Sequence, residues 1–254
     1  MDMDTVMSIR NSMHLFPFFN KTPIISNSIK VDIHSHLLPG IDDGVKTLKE
    51  SIEVIKRFQC LGYDKLITTP HIFSDLYPNT VESIQEKLFL VQNRLKQEDI
   101  TITLEASAEY YLDMEFLRCI DDDELLPFME NYILFETPCN SKLIILDVAI
   151  ENIIRKGYIP VLAHPERYNY LYSDNLERYK ELKRMGVLFQ VNLKSLQSHS
   201  KSIKKIALNL IKSGLVDFIG SDAHRMRDMT IIEKVLKSKE YRTILKNNKL
   251  LNNN

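Results

Sequence analysis

From residue 30 onward the chain alternates strictly between short β-rich runs and longer helical runs, and this alternation limits the possible folds more than any other feature. Strand-like runs fall at 29–33, 65–69, 100–106, 132–135, 159–163, 187–191 and 216–219. Helical runs lie between them at 47–61, 80–97, 113–118, 142–156, 175–185 and 202–212, and helix-like sequence continues to the end. The first helix has a clear apolar face in Leu48, Ile52, Ile55 and Phe58. Thr47 and Glu50 predict a capping box at its start, and Gly62 predicts its end. The second carries Val81, Ile84, Leu88, Val91 and Leu95 as its stripe. Alternation of this kind implies parallel strands covered by helices. The fold class expected is therefore α/β. Seven such units close most naturally into a TIM-like barrel, with an open doubly wound sheet as the second choice.

The polar residues take on meaning once placed on that map. The first strand runs into Asp32-Ile33-His34-Ser35-His36, and Asp42-Asp43-Gly44 follows closely. Later strands end at or near His71, Glu109, Glu136, His164 and the pair Asp222 and His224. In a closed barrel the C-terminal strand ends meet at one rim, so residues distant in sequence converge there. His34 and His36 are two apart on extended chain and point the same way. Asp222 and His224 repeat that spacing. Imidazole mixed with carboxylate suits zinc, manganese or iron. Nine candidate ligands are too many for one tetrahedral site, so two or three ions are expected. A metal pair lowers the pKa of a bound water and clamps the oxygens of a displacement at phosphorus.

A lone histidine at a strand end is usually only a polar loop residue. His14 and His199 are assigned that place, since neither lies in a cluster. The joint pattern differs, because charged groups seldom face inward unless paired or bound to metal. Arg167 should reach the rim, where its planar fork suits phosphate; the plainer alternative is a surface ion pair with Glu166. Arg225 and Arg227 carry the same ambiguity. The acidic run at 121–124 lacks EF-hand spacing and is expected as a solvated helix start. The three cysteines, Cys60, Cys119 and Cys139, form no CxxC pair. A phosphatase loop built on a cysteine needs an arginine six residues later, and those positions hold Leu66, Leu125 and Ile145.

The formal net charge is -1, which offers no basic field for nucleic acid. No stretch approaches the roughly 18 apolar residues of a membrane span. Residues 1–29 are set apart as an N-terminal extension; Asp2, Asp4 and Pro17 argue against a secretory signal there. The expected location is the cytoplasm, without membrane insertion. The three terminal asparagines, 252–254, are expected to fray.

The combination of Val31-Asp32-Ile33-His34-Ser35-His36, the Asp42-Asp43-Gly44 turn, Thr69-Pro70-His71, Glu109, Leu162 to Tyr168 and Ser221 to His224 resembles the PHP superfamily, named for polymerase and histidinol phosphatase. Within it the chain is similar to bacterial tyrosine-protein phosphatases of capsule and exopolysaccharide operons, the CpsB/YwqE type. The resemblance covers residues 30–250, taken as one phosphatase domain. It implies a distorted (β/α)7 barrel and a manganese site of two or three ions, with iron, zinc, cobalt or magnesium as alternatives. By the resemblance one ion falls to His34, His36, Glu109 and Asp222. A second shares Glu109 and adds Glu136 and His164, and a third takes Asp43, His71 and His224. Arg167 and Arg227 would act on the phosphate, with Arg225 and Tyr168 beside them as substrate-binding residues. The implied reaction is attack of metal-activated hydroxide on phosphotyrosine, the partner being a bacterial tyrosine kinase of polysaccharide synthesis. A small-molecule phosphatase, for example for histidinol phosphate, is the alternative. A non-catalytic PHP module is disfavoured by the intact ligand set.

Overall fold

The structure, a computed structural model, describes residues 28–253. His14 and nearly all of the N-terminal extension lie outside the described residues, as does Asn254. Nine strands occur among them: β1 (Val31–Asp32), β2 (Lys65–Thr68), β3 (His71–Ile72), β4 (Thr103–Ala106), β5 (Glu109–Tyr111), β6 (Tyr132–Glu136), β7 (Ile159–Ala163), β8 (Leu188–Asn192) and β9 (Phe218–Gly220). These strands pair in parallel as two sheets, β1-β2-β4 and β3-β5-β6-β7-β8-β9.

Two of the runs expected as single strands are interrupted. Pairing stops at Thr69-Pro70, where proline has no N–H to donate, and again at Ser107-Ala108. Glu109 therefore begins a strand of its own instead of following the one at 103–106. The rows stay joined across the breaks: Ser107 N donates to Thr68 O at 2.9 Å and Glu109 N to Pro70 O at 3.1 Å. At the other seam Ser35 bridges Ala223, Asp222 N donates to His34 O at 2.7 Å, and His36 N donates to Ala223 O at 2.9 Å. Buried Asp32 reinforces that seam by accepting from Ser221 N at 2.7 Å and Ser221 Oγ at 2.8 Å. Burial pushes the Asp32 carboxyl up to about 7 in spite of these bonds. The strands thus close on themselves, which excludes the open doubly wound sheet.

Eight α-helices occur among the described residues and cover the strands: α1 (Leu48–Cys60), α2 (Val81–Gln97), α3 (Met114–Asp121), α4 (Ile145–Arg155), α5 (Glu177–Arg184), α6 (Lys201–Lys212), α7 (Met226–Leu236) and α8 (Lys239–Asn247). Thr47 caps α1 by accepting from Glu50 N at 3.2 Å. The return half of the expected box is missing, because Glu50 accepts from Lys46 N at 2.8 Å. A reciprocal box forms instead at α2, between Thr80 and Ser83. Alternation along the strands divides the core. Ile33, Ile67, Leu134, Val161 and Phe218 form a small inner cluster, while Ile133, Phe135, Leu162 and Ile219 join the larger cluster on the helix side.

Two sequence expectations need correction here. The acidic run does not start a helix: Asp121 is the last residue of α3, and Arg118 pairs with Asp122 at 2.6 Å and Glu124 at 2.9 Å beyond it. Nor do the asparagines fray as a group. Asn252 is fully buried, accepts from Ile219 N at 3.0 Å, and donates to Ile219 O at 2.8 Å and Val31 O at 3.0 Å. A side-chain amide can complete strand backbone in this way because it carries both a donor and an acceptor. Among the described residues no helix is long and apolar enough to cross a membrane.

Candidate metal centre

The C-terminal strand ends bring nine side chains to one rim. His34 Nε2 lies 3.1 Å from Glu109 Oε2 and 3.8 Å from Asp222 Oδ1. His36 Nε2 lies 3.3 Å from His34 Nε2, 3.4 Å from Glu109 Oε2 and 3.5 Å from Asp222 Oδ1. Asp43 Oδ1 faces His224 Nε2 at 3.3 Å and His71 Nε2 at 3.5 Å. The other nitrogen of His71 faces Glu109 at 3.4 Å and Glu136 at 3.5 Å. His164 Nε2 reaches Glu109 Oε1 at 2.9 Å and Glu136 Oε2 at 3.7 Å. Four overlapping groups of candidate ligand atoms result: His36, Asp43, His71 and His224; His34, His36 and Asp222; His34, Glu109 and His164; and His71, Glu109 and Glu136. The partition differs in detail from the three-ion scheme implied by the resemblance. His36 sits with the Asp43 group as well as with Asp222, and Glu136 groups with His71.

Residues without a motif hold these side chains in place. His34 Nδ1 bonds Gln190 Oε1 at 2.6 Å, and His36 Nδ1 bonds Asp42 Oδ2 at 2.8 Å. Each bond takes the Nδ1 proton and turns Nε2 toward the cluster, as metal-ligating imidazoles require. His224 Nδ1 donates likewise to the Asp222 carbonyl at 2.9 Å. Close backbone approach makes two glycines necessary. A Cβ on Gly44 would lie 2.3 Å from His36 O, and one on Gly220 would lie 2.6 Å from both Gln190 Nε2 and His34 Cβ. His164 (φ 34°) and Asp222 (φ 49°) adopt left-handed backbone, a strain that persists where the surroundings over-determine it.

The electrostatics describe a site short of cations. Burial opposes charge on His34 and His36, yet Glu109 raises His34 to about 9 and Asp42 raises His36 to about 10. Burial, then the adjacent Glu109, pushes Glu136 up to about 7. The imidazoles of His224 and His71, facing its carboxylate at 3.3 and 3.5 Å, hold Asp43 far below the usual carboxylate range. His164 behaves oppositely: burial and the nearby Arg167 lower it to about 4, so it stays neutral. A cation entering must displace the protons held on His34 and His36, so its affinity rises with pH. Two buried atoms in the cluster, Asp43 Oδ1 and His71 Nδ1, have no hydrogen-bond partner. Buried polar atoms are almost always satisfied, and orphans that face other ligand-type atoms across gaps of 3.3–3.5 Å, Asp43 Oδ1 toward His71 and His224 and His71 Nδ1 toward Glu109 and Glu136, fit metal ligation. The donor chemistry and the orphaned atoms both fit divalent ions.

A cavity of about 360 Å³ opens over the cluster, and every residue lining it is ionisable. Arg167, Arg225 and Arg227 line it together with Lys194, which the sequence reading missed. Arg167 Nη1 lies 3.8 Å from Asp222 Oδ2, and Lys194 Nζ lies 3.6 Å from the same atom. The alternative pairing of Arg167 with Glu166 is not formed. Glu166 is fully buried and instead accepts from Asn192 N at 3.0 Å and Ser195 Oγ at 2.6 Å. Tyr168 requires a second correction. It is fully buried behind His164, with its hydroxyl 3.3 Å from Nδ1, so it positions that imidazole and does not face a substrate. His199 is exposed and apart from the cluster.

A closed ring of parallel strands with polynuclear ligand geometry at its C-terminal rim is the plan of a barrel metallohydrolase. The chain belongs to the CpsB/CapC family of capsular polysaccharide synthesis, whose model matches residues 30–248. It is 32% identical to CapC of Staphylococcus aureus over 87% of this chain and 90% of that protein. It is 31% identical to the tyrosine-protein phosphatase YwqE of Bacillus subtilis over 78% of each chain. Among solved structures it superposes with a TM-score of 0.74, at 28% identity over 87% of this chain and 96% of the other, on a structure from work on YwqE of Bacillus subtilis and CpsB of Streptococcus pneumoniae, described as metal-dependent tyrosine phosphatases. A phosphotriesterase homology protein of Escherichia coli shares the fold, with a TM-score of 0.50 at 11% identity, over 87% of this chain and 93% of that one.

Proposed function

We infer that this chain is a metal-dependent protein-tyrosine phosphatase whose metal ligands are His34, His36, Asp43, His71, Glu109, Glu136, His164, Asp222 and His224. The observation that carries the reading is the convergence of these nine side chains with two of their buried atoms orphaned. Family membership supports the phosphotyrosine specificity. The finer parts of the reading are two or three manganese ions, a cytoplasmic location and a substrate that is a bacterial tyrosine kinase of polysaccharide synthesis. Residues 30–250 form the phosphatase domain. Counting β2 with β3 and β4 with β5 as single interrupted rows gives the distorted (β/α)7 barrel.

Bound divalent ions supply Lewis-acid polarisation of the phosphoryl group and acidify the attacking water. The protein's own part is orientation and charge. Gln190 and Asp42 fix the two imidazoles of the first strand. Arg167, on the cavity wall beside Asp222, offers a planar fork to the phosphate oxygens that face away from the ligands. Arg227 and Arg225, exposed at the outer wall, make no ion pair among the described residues and are free to meet the incoming dianion.

The test compares a phosphotyrosine peptide with histidinol phosphate on manganese-loaded and chelator-stripped protein. The peptide should show the higher kcat/KM, chelation should abolish turnover, and manganese should restore it. Full activity in the stripped sample would overturn the metal mechanism. Preference for histidinol phosphate would replace the protein substrate by a metabolite.

A further inference from the structure

The cavity offers no apolar wall to an aromatic ring, since all of its lining residues are ionisable. Apolar contact with the ring of a phosphotyrosine, the substrate proposed above on which this inference rests, therefore has to come from the cavity's edge. Strands β3 and β5 pair His71 with Glu109 in register. Side chains two residues apart on a strand face the same way, about 6.6 Å further along. Two residues beyond these ligands stand Phe73 and Tyr111, and their rings stack with centroids 3.9 Å apart and an interplanar angle of 14°. Tyr111 is also the register partner of Glu136. From Phe73 the chain turns back in a tight loop, with Phe73 N donating to Tyr77 O at 2.9 Å and Tyr77 N to Phe73 O at 2.8 Å. Ser74 Oγ ties the loop to Asp113 at 2.8 Å. The loop sets the Tyr77 ring against His71, 5.5 Å between centroids and 13° from parallel. All three rings are half-buried, and none belongs to the hydrophobic core or packs against it.

We propose that Phe73, Tyr111 and Tyr77 form an aryl-binding lip that determines specificity for phosphotyrosine. One oxygen joins the phosphorus of a phosphotyrosine to its ring, so a phosphate seated on the ligand cluster places that ring in the layer these side chains occupy. Aromatic side chains bury large area and favour offset or edge contacts with another ring. A phosphoserine has no group to occupy this layer and gains nothing from it.

The test is calorimetric binding of phenylphosphonate and of inorganic phosphate to manganese-loaded protein, so it does not depend on turnover. The Phe73→Ala/Tyr111→Ala double variant should bind phenylphosphonate about tenfold more weakly, the loss expected for an aromatic contact with its buried area. Its affinity for inorganic phosphate and its metal content should match the wild type. Tyr111→Phe, which keeps the ring, should retain the wild-type affinity for phenylphosphonate. Equal weakening toward both ligands, or undiminished phenylphosphonate binding, would overturn the lip. A lip that passes this test in a protein inactive on phosphotyrosine peptides would overturn the phosphatase reading alone.

Discussion

The two ends of the barrel treat buried polar groups in opposite ways. At the end where the strands begin, two asparagine amides and an aspartate paired with a lysine are bound to backbone. Asn248 accepts from Val216 N at 3.1 Å and donates to the carbonyls of Ile211 and Ile244, and Asn252 completes Ile219 and Val31. Asp217 accepts from Phe189 N at 2.7 Å and from Lys183 Nζ at 2.5 Å. At the other end, carboxylates and imidazoles crowd together at 2.9–3.8 Å, with Asp43 Oδ1 and His71 Nδ1 left without a hydrogen-bond partner. Satisfied polar groups stabilise a fold, whereas crowded, unsatisfied and strained ones persist where function needs them. One end therefore serves stability and the other chemistry, and substitutions should affect them separately.

The largest separation is expected at Glu109. It is buried and touches His34, His36, His71 and His164 at 2.9–3.4 Å, so it belongs to more than one ligand group. Glu109→Gln keeps the shape and removes the charge. Metal ions contribute several kcal/mol to transition-state stabilisation, so turnover should fall about 1000-fold. Metal analysis of the same sample should show at least one ion lost. His199→Ala, exposed and remote, is the control and should leave both readings unchanged. If the two variants behave alike, the rim is not the reactive end.

Arg167 sharpens the comparison by separating binding of metal from binding of phosphate. It lines the cavity but is not a ligand, so Arg167→Ala should retain full metal content. Loss of a fixed donor to developing charge costs about 100-fold, so kcat/KM should fall by that order, with kcat included. Arg167→Lys keeps the charge without the fork and should recover only part of the loss. An alanine variant with wild-type turnover would remove Arg167 from the site.

These two ends were not equally legible in the sequence. Strand ends rich in histidine and carboxylate announce themselves, because such residues at such places have few innocent explanations. Gln190, Asn192 and Lys194 went unnoticed because a single polar residue in or after a strand has no spacing to betray it. The available signal for Gln190 was its place inside an otherwise apolar strand, Leu188–Asn192, where a buried amide needs a partner. The interruptions at Thr69-Pro70 and Ser107-Ala108 were obscured by β-rich sequence on either side, although Pro70 marked the first of them. The resemblance placed Tyr168 on the substrate together with Arg167, yet neighbours in a short turn can face opposite ways. The asparagine tail misled through composition. Terminal polar residues usually fray, but a tail lying across strand starts finds a row of unpaired backbone groups.

That tail provides the smallest and cleanest test, because it sets two identical side chains side by side. Asn252 is buried with three bonds to strand backbone, whereas Asn253 is exposed with bonds to Lys30 N and Ser28 O, both at 2.8 Å. Asn252→Ala leaves Ile219 N without an acceptor in the interior, and a buried group stripped of its partner costs about 1–3 kcal/mol. Asn253→Ala hands its backbone partners to water and should cost no more than about 0.5 kcal/mol. Urea unfolding should therefore show a lowered midpoint for the first variant and nearly none for the second, with the slope unchanged in both. Metal content and turnover per folded molecule should equal the wild type in each, since neither residue approaches the rim. Loss of metal from Asn252→Ala would mean that the two ends are mechanically coupled through β1 and β9, the strands that Asn252 joins and from whose ends His34 and Asp222 project.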